Sequence, residues 1–190
     1  MKSKSGFTVI FFLVLLSVTK LANAQAVESA TARQFSLTAG GFGSVFNPAD
    51  GNTPYYQPGP NYLIGVGTYV DVHFSHWVQV EAEGRWLRFN QYNGEHMDHY
   101  LIGPRVPIRR FGRFDTYGKV LIGLGRMTFP FDYGHGTFTA LAYGGGADYK
   151  LSRKLTIRAA DFEFQQWPKW LPGSALYPWG VSVGVGYKVF

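Results

Sequence analysis

The sequence predicts an all-β fold, an eight-stranded antiparallel up-and-down β-barrel that crosses a membrane with its strands. Residues 180–190 at the carboxyl terminus alternate between apolar and small or polar residues and end on an aromatic residue. Alternation with a period of two gives a strand one face for lipid and one for a crowded interior. The chain also begins with an export signal and is rich in glycine and aromatic residues. Barrels place aromatic side chains at the headgroup level and small residues in a narrow lumen.

Residues 1–24 have the three parts of a cleavable signal peptide. Lys2 and Lys4 precede a predominantly apolar run at residues 7–18, and an Ala-Asn-Ala sequence ends at Ala24. This run is shorter than the about 20 residues that a membrane-spanning helix needs, so we expect cleavage after Ala24 rather than a retained anchor. The predicted organisation is a signal peptide at residues 1–24 and one outer-membrane barrel domain at residues 25–190.

The mature chain is modestly basic and contains no cysteine. The formal charge of the full chain is +6, and cleavage removes three lysines and no acidic residue. The small excess that remains is not the concentrated basic patch that nucleic-acid binding requires, so no nucleic-acid partner is predicted. Without cysteine, stability in an oxidising compartment cannot come from disulfides. Backbone pairing and packing must supply it.

Eight segments follow the period of two, each near the about 9–11 residues that a tilted strand needs to cross a bilayer. They are residues 34–45, 61–74, 77–89, 99–108, 116–127, 138–149, 155–164 and 180–190. The second is among the clearest, because Ile64, Val66 and Val70 fall on one face and Asp71 and His73 on the other. The even count fits a closed barrel.

Two of these segments break the alternation. Pro104 in the fourth segment cannot donate to a ladder hydrogen bond, so a bulge or a local break in pairing is predicted there. In the seventh, Leu155 and Ile157 have one parity while Phe162 and Phe164 have the other. An extra residue near positions 159–161 would reconcile them, which predicts a second bulge.

The connections between segments alternate in length. Residues 74–77, 109–114 and 150–154 are short, whereas residues 46–60, 90–98, 128–137 and 165–178 are longer. Membrane barrels have short periplasmic turns and longer outward loops. This order predicts that both chain ends lie on the periplasmic side.

The chain resembles the small outer-membrane β-barrel superfamily that includes OmpA-type transmembrane domains, OmpX-like proteins and opacity-type proteins. The resemblance covers the chain after Ala24 and rests on three segments: residues 180–190, 144–152 (G-G-G-A-D-Y-K-L-S) and 155–158 (L-T-I-R). It implies the outer membrane of a diderm bacterium, with lipid and lipopolysaccharide as neighbours. It also implies recognition by the barrel-insertion machinery through a terminal-strand signal at Tyr187 and Phe190. Lys188 stands where such signals commonly carry an aromatic residue, and no counterpart of a peptidoglycan-binding module is expected.

Alternation places a set of charged side chains inside the barrel: Asp71, Glu81, Glu83, Arg85, Arg105, Lys119, Asp148 and Arg158. Eight strands leave an interior just wide enough for side chains to fill, and an unpaired buried carboxylate there costs several kcal/mol. We therefore predict a paired network that closes the lumen, in a protein with a structural or surface-interaction role. A small ion-conducting pore, with Glu81 and Glu83 setting a preference for cations, is the alternative.

No catalytic residue, cofactor or metal ligand is predicted, although two patterns suggest chemistry. His73 and Ser75 have the spacing of the His–Ser pair in outer-membrane lipid A deacylases, so a lipid A-modifying hydrolase is a second alternative. The predicted topology places them at the inner rim, away from the outer leaflet. Imidazoles and carboxylates within residues 95–99 and 132–135, both in predicted outward loops, have spacings that zinc can use, but solvated loop residues explain them more simply.

Two further alternatives concern surfaces. The first long connection displays Tyr55 and Tyr56, which can anchor an extracellular ligand or lie on the membrane interface, and we favour the interface. The other alternative is a soluble lipocalin-like binder with apolar residues lining a ligand cavity. Such a protein would need the rows of valines turned inward and the glutamates turned outward.

Overall fold

The computed structural model describes residues 35–49, 62–74, 79–90, 93–171 and 174–190. The strands in this part of the chain are β1 (Ser36–Asn47), β2 (Leu63–His73), β3 (Gln79–Leu87), β4 (His96–Phe111), β5 (Phe114–Thr128), β6 (His135–Lys150), β7 (Leu155–Leu171), β8 (Ser174–Leu176) and β9 (Trp179–Lys188). A 3₁₀ turn at Pro130–Asp132 joins β5 to β6. Among the described residues, no helix has the length and apolar character to cross a membrane.

Eight of the strands form a closed antiparallel barrel. Each of β1 to β7 pairs with the next strand along the chain, and β9 pairs with both β7 and β1. The β1–β9 ladder runs from Thr38 opposite Lys188 to Asn47 opposite Trp179. Over the described residues, closure leaves these eight strands without an open edge, which hydrocarbon would not tolerate. β8 only extends a hairpin at the end of β7, so the predicted eight-stranded barrel is confirmed.

The two faces of the barrel wall have opposite character. Val120 and Val183 are 51% and 55% exposed on the outside, whereas Glu81 and Arg85 are fully buried inside. An apolar exterior around a charged interior suits a surrounding of acyl chains. The lipocalin-like alternative, which needed the reverse arrangement, is therefore wrong.

Glycines inside the barrel make room for aromatic side chains of other strands, both adjacent ones and ones across the lumen. Phe42 of β1 lies directly opposite Gly67 of β2 and Gly184 of β9. A Cβ atom on Gly67 would lie 2.3 Å from Cε2 of Phe42, and one on Gly125 would lie 2.2 Å from Cζ2 of Trp167. The small lumen is therefore filled by pairing large residues with glycine, as the composition predicted.

Exterior aromatic side chains gather near both ends of the barrel. At the end that carries the longer connections, the Trp86 indole donates to the Tyr100 hydroxyl at 3.0 Å, and the Tyr62 and Trp179 rings lie 6.3 Å apart. At the opposite end, Phe35 stacks on Phe190 with ring centroids 5.5 Å apart. Amphipathic rings at these two levels fit the two membrane interfaces.

The predicted bulge in β7 is confirmed, and of the bulge or local break predicted at Pro104 the structure shows the break, since Gly103 and Pro104 have no ladder partner on β5. Ala147 of β6 pairs with Ala160 and the next residue, Asp148, pairs with Arg158, so Ala159 is the extra residue. In β4 the register is the same on both sides of Pro104, and the shift occurs between Pro107 and Arg109. A proline removes one ladder hydrogen bond but does not require an extra residue, so the register continues through it.

Several strands extend further at the outer end than predicted, with β6 beginning at His135 rather than at residue 138. β4 begins at His96 rather than at residue 99, and β7 continues to Leu171 rather than ending at residue 164. Beyond the hydrocarbon, strand residues no longer need an apolar outward face, so the alternation fades while pairing continues. These ends are still packed inside, because Met97 and Trp167 are fully buried.

Candidate functional site: the barrel lumen

The lumen consists of three layers along the barrel axis. An open cavity, which we call the vestibule, lies at the end of the barrel where β1 begins and β9 ends. A charged layer follows in the middle, and an apolar plug fills the opposite end. The short β4–β5 and β6–β7 turns lie at this end, and barrels of this type have their short turns on the periplasmic side.

The charged layer, here called the ionic network, is built from alternate residues of β2 to β7. In the described part of the chain it contains six carboxylates, from Asp71, Glu81, Glu83, Asp148, Asp161 and Glu163, and four cations, from Arg85, Arg105, Lys119 and Arg158. All are buried or nearly so. Because carboxylates outnumber cations, each cation is shared among several of them.

Lys119 of β5 lies at the centre of the ionic network. Its Nζ atom is 3.2 Å from Glu81 Oε1, 3.1 Å from Glu83 Oε2, 2.8 Å from Asp161 Oδ2 and 2.9 Å from Glu163 Oε2. Three of these acids, Glu81, Glu83 and Asp161, lie close enough together to hold a metal ion. The ammonium group fills that position, so the carboxylates already have their cation.

Three arginines connect the remaining acids and pack on aromatic rings. Arg85 donates to Glu163 at 2.8 Å and to Glu83 at 3.1 Å, and its guanidinium lies 4.3 Å from the centre of the Phe46 ring. Arg158 donates to Glu81 at 2.7 Å and lies over Tyr69.

Arg105 completes the connection on the vestibule side. It bonds Asp71 at 2.5 Å and also Asp148, and it lies 3.6 Å from the centre of the Tyr117 ring. Fork-shaped guanidinium groups suit such sites because they bond several carboxylates in a plane and stack on aromatic faces.

The structure places all eight predicted interior charges in this layer, but two of its acids were not predicted. Asp161 and Glu163 lie beyond the β7 bulge, where they face inward because Phe162 and Phe164 face outward. The change in parity between Ile157 and Phe162, which predicted the bulge, could also have predicted that these two acids face inward. His99 has the same parity in the fourth segment as Arg105, so it also faces inward, and it lies 3.4 Å from Arg85 and 3.0 Å from Gln165.

The apolar plug closes the outer end of the lumen. Its buried members are Phe46, Leu63, Leu87, Met97, Leu101, Leu121, Met127, Ala140, Ala142, Trp167 and Leu176. Trp167 joins the plug to the ionic network, since its indole donates to Gln165 at 2.8 Å and its ring lies 5.7 Å from that of His99. Water and ions therefore meet a packed apolar layer at this end.

The predicted outward loop containing residues 95–99 is wrong, and its residues do not form a zinc site. His96 starts β4, Asp98 is held by Arg88 and His99 is buried inside the barrel. Strand alternation turns Asp98 and His99 to opposite faces of the wall, so their ligand atoms cannot converge. Asp132 is exposed in the β5–β6 connection, and His135 is exposed as the first residue of β6.

Of the other residues that the sequence singled out, the described ones lie near the periplasmic ends of strands. His73 ends β2 and lines the vestibule, while Ser75 lies outside the described residues. Tyr55 and Tyr56 are also outside them. In the terminal strand, Tyr187 and Phe190 are each 50% exposed on the outside of the barrel.

The fold and its lumen define a small integral-membrane β-barrel with an apolar exterior and a charged, side-chain-filled interior. Residues 10–188 match the outer membrane protein beta-barrel domain family, and the chain belongs to this family. Its location is accordingly the outer membrane.

Solved structures of similar fold come from small bacterial barrels. The Neisserial surface protein A structure is 9% identical with a TM-score of 0.56, covering 80% of this chain and 96% of that one. The amino-terminal barrel domain of Pseudomonas aeruginosa OprF is 15% identical with a TM-score of 0.54 and the same coverage. OprG from Pseudomonas aeruginosa is 16% identical with a TM-score of 0.51, covering 81% and 95%. Among curated proteins, no sequence matches this chain significantly.

Proposed function

We propose that this protein is a closed, non-conducting barrel that serves a structural or surface-interaction role in the outer membrane of a diderm bacterium. It is exported by the signal peptide at residues 1–24, so the protein in the membrane fraction has the mass of a chain starting at Gln25. Insertion uses the terminal-strand signal at Tyr187 and Phe190, and lipid and lipopolysaccharide surround the wall.

The observation that carries this proposal is that two barriers lie in series in the lumen. An ion entering from the vestibule meets Lys119 and the arginines, which are already bonded to carboxylates. Separating such buried pairs leaves uncompensated charges at a cost of several kcal/mol. Beyond them a hydrated ion would have to displace the packed apolar side chains of the plug around Trp167.

A surface role is supported by the β5–β6 connection at the outer end. Phe131 and Tyr133 are 67% and 88% exposed, with ring centroids 5.9 Å apart. Phe131 and Asp132 both have positive φ, 59° and 53°, and the Phe131 amide donates to the Asn93 carbonyl at 2.6 Å. A strained loop that is fixed by hydrogen bonds and exposes aromatic rings is suited to contact an extracellular ligand.

Planar-bilayer recording tests the closed lumen against the pore alternative. The purified mature barrel is expected to give only rare, small openings, and Glu81→Gln is expected to leave this behaviour unchanged. Stable wild-type channels whose cation preference is lost in Glu81→Gln would contradict the proposal. A variant on the outside wall, Val120→Ala, controls for effects of reconstitution.

A further inference from the structure

The vestibule is a cavity of about 920 Å³ that the closed lumen leaves open at one end. Its volume falls within the about 300–1,000 Å³ that is typical of small-molecule sites. The ionic network forms its floor, and the inward residues of the strand ends form its wall, among them Thr38, His73, Gln79 and Thr156. The space therefore has the size and the depth of a ligand pocket.

The charges that line the vestibule do not balance. Its three acids already have cations. Arg105 binds both Asp71 and Asp148. Asp115 binds Arg110 Nε and Lys150 Nζ, and both of these distances are 2.5 Å. Three more lining cations, Arg109, Arg153 and Lys188, have no carboxylate partner among the residues that the structure describes. The mouth of the vestibule is therefore positively charged.

Uncharged polar groups in the vestibule also lack partners. The Tyr117 hydroxyl and the His73 Nδ1 atom are buried and form no hydrogen bond with any described residue. Tyr117 as a whole is only 4% exposed. Buried polar atoms are normally hydrogen-bonded, so each needs a water molecule or a ligand atom.

We propose that the vestibule is a binding site for a small multivalent anion that carries phosphate or carboxylate groups and enters from the periplasmic side. A recess with charges of one sign and low-dielectric walls concentrates counter-ions. Arginine and lysine bond such anions through charge-assisted hydrogen bonds, and the hydroxyls of Thr38 and Thr156 add neutral donors. The site is independent of the proposed lack of conduction, because it ends at the ionic network.

Isothermal titration of the folded mature barrel in a zwitterionic detergent tests this site, with sodium pyrophosphate and sodium citrate as separate probes. We expect saturable one-to-one binding at low salt that weakens as salt is added, since exposed charges are screened. Preference for pyrophosphate indicates a phosphate ligand, and preference for citrate a carboxylate ligand. Amide shifts in NMR spectra should change at Thr38 and Thr156 and not at Val183, which faces lipid.

Variants that each remove one positive charge distinguish binding in the vestibule from non-specific electrostatic attraction to the protein. Lys188→Gln and Arg153→Gln should each weaken binding about three- to tenfold, as the loss of one charge-assisted contact would. Arg126→Gln, an equal charge change on the exposed outside of β5, should have no effect. Arg153 lies in the exposed β6–β7 turn, so its variant keeps all strands even if Lys188→Gln fails to fold. The proposal is overturned if neither probe saturates, or if Arg126→Gln weakens binding as much as Arg153→Gln.

Discussion

At the scale of single residues, the ionic network depends most on its cations. Six carboxylates share four basic side chains in the described lumen, and Lys119 alone contacts four of the acids. Removing an acid lowers the excess of negative charge, whereas removing a cation increases it. Substitutions of the two kinds should therefore differ in effect, although both break buried ion pairs.

Lys119→Met is expected to destabilise the barrel by about 3–5 kcal/mol, the usual cost of leaving buried charges without a partner. Glu83→Gln removes one of the acids around the same ammonium but leaves Arg85 and Lys119 bonded to Glu163, so it should cost less, about 1–3 kcal/mol. Equilibrium urea unfolding in lipid vesicles measures both, with Arg126→Gln as the exposed reference. Equal losses for Lys119→Met and Glu83→Gln would show that the charge excess is unimportant.

At the scale of elements, the bulge in β7 determines which residues reach the lumen. Before Ala159, Arg158 faces inward, and after it Asp161, Glu163 and Gln165 do so. A strand without the extra residue would turn one of these sets toward lipid, because side chains alternate with a period of two. The bulge therefore brings Arg158 and Asp161 together, with Arg158 Nη1 3.2 Å from Asp161 Oδ2.

Deletion of Ala159 should prevent folding of the barrel. The register with either β6 or β9 would slip by one residue and place charged side chains of β7 against acyl chains, at about 2–4 kcal/mol for each cation near the midplane. Heat-modifiable mobility on gels reports the folded form, which the deletion should abolish. Ala159→Gly keeps the residue count and should still give the heat-modifiable species. A folded, heat-modifiable deletion variant would mean that the bulge can migrate along the strand.

At the scale of the whole molecule, the membrane-spanning wall could be predicted from the sequence, but much of the lumen could not. Strand number, faces and the β7 bulge follow from a period of two that lipid imposes on every spanning strand. Lipid imposes nothing on the inside, so the apolar plug around Trp167 left no periodic signal. Its residues come from the outer ends of strands, where residues 165–171 have the composition of a loop. The vestibule likewise depends on which cations remain unpaired, and that is a property of three-dimensional contacts.

The three layers of the lumen predict a pattern of chemical accessibility that single cysteines can measure, because the natural chain contains none. In Thr38→Cys the thiol lines the vestibule, and in Tyr133→Cys it lies on the outer loop. In Ser44→Cys the thiol replaces a buried hydroxyl group, which lies 2.6 Å from the hydroxyl oxygen of Ser182. A membrane-impermeant maleimide should label Tyr133→Cys on intact cells and Thr38→Cys only after the outer membrane is opened.

Ser44→Cys should react at least about tenfold more slowly than Thr38→Cys in both preparations, because thiol reactivity requires access. Denaturation in detergent should make all three variants equally reactive. That result would show that burial, and not the intrinsic reactivity of each thiol, causes the difference in labelling rate. Labelling of Thr38→Cys on intact cells would reverse the assigned orientation. Rapid labelling of folded Ser44→Cys would show that reagent passes the barriers, and the closed lumen would then be wrong.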